Sequence, residues 1–529
     1  MRPCNMRPCN MRRLLVFFTI FILGCQAILP AALVASAYAP AGVVDPAAPP
    51  AFFSPPAVPV AIPQRTGHLS NRGIFPFAPL PSFTVRTHPD GALYVGDLVS
   101  LEVIAPDGLD LKGDKIHIQV AGNSGGFPGA DLGTADFGPF GIGGRYQATF
   151  TWVWNTAGLA SGDYSLTFSV DPKGISWEQT LTLLPESQRP PPEPKAHWAT
   201  AETKYCVIHY ITGTAAARDI DLLKALADQQ AQDVIQKFGI DFSKPIPITL
   251  VPRVLGHGGF AGGEIYVSYL DRNYIGSDFA MVLHHEMVHI LDGRLGGELR
   301  PSLFVEGLAV YLTDGHFKLE PFQSRAAALL DLGMYIPLPE LADNFYKSQH
   351  EIGYLEGAAL IQYMVDTWGW DAYNAWYRDI HPNPSGLQSA AIDTALQKHF
   401  GLTFAQLESR FLTELHRQRL NPDMVSDVVL TVDYFDTVRR YQQALDPSAY
   451  FLTAWLPDGE QMRKREIVAD FLRHPNGPEN KTLEGLLIHG ETDLRAGDYR
   501  DSGKVLGVVN AELGDLAFPP VVANSTGAQ

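Results

Sequence analysis

The sequence predicts a multidomain chain: an all-β module, then a mixed α/β domain that turns helical, then a mainly helical C-terminal region. Three observations carry this. Apolar residues alternate with period two from about residue 80 to 186, the mark of half-buried strands. Beyond Trp198, strand patterns mix with the 3.6-residue apolar period of helices. Proline-rich stretches separate these segments, and 529 residues exceed one ordinary domain.

Composition narrows the class. The chain is 46% hydrophobic and 18% charged, which excludes wholesale disorder. Forty Lys and Arg face 57 Asp and Glu, a net charge of −17 that argues against nucleic acid as a partner. The four cysteines, Cys4, Cys9, Cys25 and Cys206, are too few for a disulfide scaffold or a Cys-cluster zinc site.

Residues 1–10 repeat Met-Arg-Pro-Cys-Asn twice. Arg12 and Arg13 then precede the apolar run Leu14–Leu23 and the small residues Ala35-Ser36-Ala37, so residues 1–39 read as a secretory signal peptide. An uncleaved membrane anchor is the alternative, although Gln26 and Pro30 interrupt the run. Ile22-Leu23-Gly24-Cys25 resembles a bacterial lipoprotein box, with Leu23 bulky where that motif prefers a small residue. Cleavage near Ala39 removes four arginines, no acid and three cysteines, taking the net charge from −17 to −21. The expected location is extracytoplasmic, secreted or attached to the cell surface.

Residues 40–79 form a Pro/Ala-rich linker, with prolines concentrated up to Pro63. In 80–186, Val99, Leu101 and Val103 alternate with polar neighbours, as do Ile116, Ile118 and Val120. Tyr146, Ala148, Phe150, Trp152 and Trp154 are expected on one face, and Tyr164, Leu166, Phe168 and Val170 on another. Turns such as Pro89-Asp90-Gly91 and Ser161-Gly162-Asp163 separate these runs. The stretch resembles an immunoglobulin-like or fibronectin-like β-sandwich without its disulfide, which implies a fold and no function. A second Pro-rich linker spans 187–199. Next come a strand over Tyr205–Tyr210, a helix over Asp219–Phe238, strands at Ile246–Val251 and Ile265–Val267, and helices from Asp278 to about His416. The region 419–529 reads as helical, and Gly497-Asp-Tyr499 with Ser502 and Val505 resembles half of one tetratricopeptide repeat.

One segment carries chemistry. His285-Glu286-Met287-Val288-His289 is an H-E-x-x-H motif inside the helical pattern Ser277–Asp292. Residues four apart on a helix lie about 40° apart around the axis and ~6 Å along it. Both imidazoles can therefore reach one metal ion, with Glu286 beside it. Catalytic zinc takes three protein ligands and keeps a position for water. Glu306, sixteen residues beyond His289 in the helical pattern Ser302–Tyr311, is the natural third ligand, completing a His₂Glu set. Gly307 and Ala309 are small enough to admit the metal helix, and Gly293, Gly296 and Gly297 permit the turn.

From about Tyr205 to His416 the sequence resembles the gluzincin metallopeptidases, especially the bacterial peptidase MA-like domains of the thermolysin clan. The likeness includes Gly258-Gly-Phe-Ala-Gly-Gly-Glu-Ile-Tyr-Val267, the His285–His289 helix and the Glu306-Gly-Leu-Ala309 helix. It implies a zincin-like α+β metallopeptidase domain over 200–418. His285, His289 and Glu306 would hold one zinc ion, Glu286 would be the general base, and a peptide or protein would be the substrate. Glu264–Ser268 would be the sheet edge that pairs with extended substrate. Tyr354 falls where the pattern often shows a tyrosine, and would stabilise the oxyanion. Thermolysin carries an Asp four residues after its ligand Glu, where this chain has Val310; Asp292 is the substitute expected to orient a ligand. His284 is expected to pack, His257 and His316 to be isolated loop residues, Cys206 to be an inert core thiol, and Trp368 and Trp370 to be core. Two rival readings remain: a non-catalytic zincin-fold adhesion protein, and a hydrolase of cell-wall or glycan-linked peptides whose β-module binds a cell-surface ligand. Glu286 weighs against the first, since pure binding needs no base there.

Overall fold

The computed structural model describes residues 83–514, except 107, 123–126, 141–144, 277, 348–349 and 450–457. The signal peptide and the 40–79 linker expected above lie outside the described residues. A sheet-rich N-terminal region is followed by a mainly helical C-terminal part. No helix among the described residues is long and apolar enough to cross a membrane.

The described residues open with nine strands: β1 (Thr84–His88), β2 (Leu93–Tyr94), β3 (Leu98–Ile104), β4 (Lys115–Val120), β5 (Ala130–Asp136), β6 (Gly138–Phe140), β7 (Arg145–Asn155), β8 (Gly162–Asp171) and β9 (Ile175–Leu184). They make two sheets, ordered β1-β3-β7-β6 and β2-β9-β8-β4-β5. Alternation turns every second residue inward. Val99, Leu101 and Val103 of one sheet thereby share a core with Ile116, Ile118, Leu166 and Phe168 of the other.

Trp152 breaks the alternation and corrects the face assigned to it. Leu101 pairs with Phe150 but Val99 pairs with Trp154, so β7 carries extra residues between them. Such a bulge re-aims a side chain. Trp152, at φ 48°, leaves the core of its own sheets. It packs instead with Ile211, Tyr266, Met462, Ile467 and Phe471.

A third sheet has the order β10-β11-β12-β14-β13, from β10 (Trp198–Glu202), β11 (Cys206–Ile211), β12 (Ile246–Val251), β13 (Gly259–Ala261) and β14 (Ile265–Ser268). It starts at Trp198, two residues before the boundary expected at 200, because β10 pairs with β11. At the end of the sheet opposite β10 the edge strand is β13, antiparallel to β14, whereas β14 is held between β12 and β13. The expectation that Glu264–Ser268 forms the open edge is therefore wrong; Gly259–Ala261 does.

Helix α1 (Ala215–Arg218) is one turn long, and α2 (Ile220–Phe238) crosses from β11 to β12. Leu223, Ala227, Ala231, Val234 and Phe238 form its buried stripe, and left-handed Gly239 stops it. Eight further helices follow: α3 (Phe279–Leu295), α4 (Ser302–Thr313), α5 (Phe322–Asp331), α6 (Leu338–Asn344), α7 (His350–Trp368), α8 (Trp370–Arg378), α9 (Gln388–Phe400) and α10 (Phe404–Leu415). Helices α4 and α7 touch backbone to backbone: a Cβ on Gly307 would lie 2.7 Å from the carbonyl carbon of Gly357. Gly307 thus admits α7, not the metal helix as its position suggested.

Helix α11 (Pro422–Leu445) begins the C-terminal part, and the helices Pro478–Ala496 and Tyr499–Leu513 form a hairpin turned by Gly497. Tyr434, Phe435 and Val438 of α11 share a core with Leu483, Leu487, Leu506 and Val509 of that hairpin. Val254, Tyr274 and Phe317, from segments flanking the α3–α4 pair, join it. The segment resembling half a repeat is the second arm of this hairpin.

Candidate metal centre

Helix α3 starts where Asp278 accepts a hydrogen bond from the Met281 amide, an N-cap. Its interior is buried through Leu283–Leu291 apart from His289, so the ionisable His285 and Glu286 lie among apolar neighbours. Helix α4 brings Glu306 to the same place. The three ligand atoms of His285, His289 and Glu306 lie within 4.8 Å of one another. His285 Nε2 is 2.9 Å from His289 Nε2, and Glu306 Oε2 is 3.4 Å and 3.2 Å from them. A tetrahedral ion with metal–ligand bonds of 2.0–2.1 Å has ligand–ligand edges of ~3.3 Å. The donor set therefore fits zinc in chemistry and in spacing. Nδ1 of both histidines is buried without a hydrogen-bond partner among the described residues.

Without metal, these groups perturb one another. Burial drives His285 down to about 4. Burial also opposes charge on His289, but the carboxylates of Glu306 and Glu286 outweigh it and hold this imidazole up at about 9. Burial pushes Glu306 upward, yet the two histidines hold it well below the usual carboxylate range. Burial raises Glu286 to about 7.

Glu286 faces the sheet edge. A Cβ on Gly259 would lie 2.9 Å from Glu286 Oε1 and 2.6 Å from Val282, so only glycine lets β13 approach α3 this closely. Tyr354, on α7, sits with its ring centroid 6.0 Å from that of His285. Its hydroxyl is raised well above its usual range by burial and by the Glu306 carboxylate.

Two neighbours were not legible as site residues. His316, expected to be an isolated loop residue, stacks on Tyr354 at 4.1 Å and lies 6.0 Å from His285, ring to ring. Its Nδ1 is 2.7 Å from Glu351 Oε2. Burial opposes its charge, but Glu351, together with Glu320 and Glu306, outweighs burial and raises its pKa. Tyr346 is 43% exposed, yet its hydroxyl donates to Glu306 Oε1 at 2.6 Å. No spacing signalled Tyr346, which stands in a 3₁₀ turn just before α7.

Asp292 does not orient a ligand by hydrogen bonding. It is 1% exposed and accepts from Arg300 Nη1 at 2.7 Å and Tyr377 at 3.2 Å, with Arg378 Nη2 at 2.6 Å. It ties the end of α3 to α8 and the following loop. His284 turns to α2, where its Nδ1 is 2.9 Å from Gln230 Oε1, and burial lowers it to about 4. His257 contacts Phe435 at 6.1 Å between centroids. Buried Cys206 has its thiol pushed up to about 12, so it holds little thiolate at neutral pH. Trp368 stacks on Phe400 at 4.4 Å.

No family model and no curated protein matches the sequence. Among solved structures, one that it resembles is an aminopeptidase N family protein from Idiomarina loihiensis. Sequence identity is 8% over 65% of this chain and 78% of that one, with a TM-score of 0.27, below the level at which two folds are equated.

Proposed function

We propose that the centre belongs to a metal-dependent hydrolase. More narrowly, the chain is a zinc metallopeptidase of gluzincin type. The observation that carries this reading is the convergence of His285, His289 and Glu306 with Glu286 beside them. A zinc ion held by the three ligands would acidify water and polarise a carbonyl. Glu286, near neutral in its pKa, takes the proton from the attacking water and passes it to the leaving amine. Tyr346 bonds Glu306, and Tyr354 and His316 each lie 6.0 Å from His285, ring to ring; these three are the candidates for the donor that a developing oxyanion needs. The free edge of β13 pairs with extended substrate backbone and delivers it past Gly259 to Glu286.

The N-terminal region is read as an immunoglobulin-like module. Its sheet orders support this, as does Tyr164, which donates to the Ala160 carbonyl at 2.8 Å near the start of β8, a tyrosine corner. The signal-like segment ahead of it suggests export. Zinc-loaded wild type should hydrolyse members of a peptide library, and Glu286→Gln should lose about 10³-fold or more in rate while keeping its metal. Undiminished hydrolysis by Glu286→Gln would sink the mechanism.

A further inference from the structure

Helix α11 carries a buried cation, Arg439, for which no ion pair with a carboxylate is found among the described residues. Arg439 is 5% exposed, and its Nε has no hydrogen-bond partner among the described residues. No described carboxylate forms an ion pair with it. The other deeply buried arginines behave differently: Arg253 binds Asp446, Arg325 binds Asp427 and Arg473 binds Asp97. The chain has 57 acidic residues, so acids are not scarce. A buried guanidinium without a counter-charge is unfavourable, and such a group calls for an explanation.

Its position supplies one. Phe435, one turn earlier on α11, lies 5.9 Å from His316 and 6.1 Å from His257, ring to ring. His316 is in turn 6.0 Å from His285. Gln442 of α11 donates to the Gly256 carbonyl at 2.8 Å, which fastens the loop leading into β13. Arg439 stands between these two anchors on the helix. Its charge reaches His257, which burial and then Arg439 hold down to about 3, so that imidazole stays neutral. The stretch of α11 that carries Arg439 is thus joined to the ligand His285 by two ring contacts, through Phe435 and His316. An extended peptide advances ~3.4 Å per residue, so two contacts of 5.9 and 6.0 Å match a few residues of substrate.

We infer that Arg439 is a specificity-determining receptor for a substrate carboxylate lying a few residues from the scissile bond. This rests on the metallopeptidase reading. The carboxylate is either a free C-terminus or an Asp or Glu side chain, and a planar guanidinium suits either in a two-bond fork.

The test uses the zinc-loaded full chain and matched peptides: free acid against amide at the C-terminus, and internal Glu against Gln. The readout is the ratio of kcat/KM for the charged and neutral member of each pair. Wild type should prefer a charged member by roughly 10- to 100-fold, the worth of charge-assisted hydrogen bonds. Arg439→Gln should bring that ratio to near one, and Arg439→Lys should keep part of it. A folding defect slows both members and leaves the ratio alone. Loss of preference on amidation identifies the C-terminal carboxylate; loss on Glu-to-Gln exchange identifies the side chain. A wild-type ratio near one, or a preference unchanged in Arg439→Gln, overturns the inference. If wild type cleaves no peptide, the metallopeptidase reading fails separately. Fluorescence anisotropy of the same labelled peptides then decides the Arg439 question: charge-selective binding lost in Arg439→Gln upholds it, and unselective or absent binding overturns it.

Discussion

Two regions of this molecule bury clusters of charge, and they treat it in opposite ways. At the junction between the first two sheets and the C-terminal part, nearly every charge is matched. Arg473 binds Asp97 at 2.7 and 2.9 Å and Glu193 at 2.7 Å, with Tyr94 beneath its guanidinium. Arg253 reaches Asp446 at 2.8 Å and Asp90 at 3.1 Å. At the candidate metal centre Glu286 is raised by burial, and among the described residues two imidazole Nδ1 atoms lack hydrogen-bond partners and no ion pair is found for Arg439 nearby on α11. Paired charges hold pieces together. Unpaired ones mark where something from outside completes the structure.

The largest effect is expected at the junction. Arg473→Met would leave the buried carboxylates of Asp97 and Glu193 with Arg189 as the one cation between them, and removing one partner of a buried pair costs about 3–5 kcal/mol. Urea unfolding should show that loss; an unchanged midpoint would mean that the junction carries no weight.

Asp470 is the exception at the junction. It accepts from Trp152 Nε1 at 3.0 Å, yet burial raises its pKa from 3.8 to about 6. A carboxyl whose folded pKa is raised stabilises fully below the unfolded value, and that stability is lost as pH rises through about 6. Relative to wild type, Asp470→Asn should therefore gain stability between pH 4 and 7, by roughly 3 kcal/mol at most. Parallel unfolding at pH 5 and pH 8 checks this; a gain that does not grow with pH would contradict it.

The smallest of these effects belongs to the centre. Tyr346 fixes the outer oxygen of Glu306, and partners that orient metal ligands are worth ~10–100-fold in affinity. Tyr346→Phe should weaken zinc by that factor in a competition titration with a chelating dye. Wild-type affinity would show that the hydroxyl is a bystander.

What was legible in the sequence follows from how local each feature is. His285, Glu286 and His289 share one helix, and the helical period alone puts them on one face. Glu306 needed only a turn and a second helix. His316 and Tyr346 were missed because they reach the centre from a loop and a 3₁₀ turn, whose paths depend on packing. Asp292 has suitable spacing, but Arg300 and Arg378 claim it from outside α3. Trp152 reads as inward until a bulge, invisible to alternation, turns it over. The edge strand β13 has three residues, too few to show a period. Residues 187–199 read as a spacer by their prolines, yet Glu193 within them is buried on Arg473.

The proposed function stands or falls with a metal held by His285, His289 and Glu306, for which Glu286 is not a ligand. Zinc content of the dialysed full chain, measured by atomic absorption, tests it most directly. Wild type and Glu286→Gln should each retain one zinc per chain, while His289→Ala and Glu306→Ala should retain almost none. A wild type that binds no zinc, or a content that the His289 and Glu306 substitutions leave unchanged, would contradict the account.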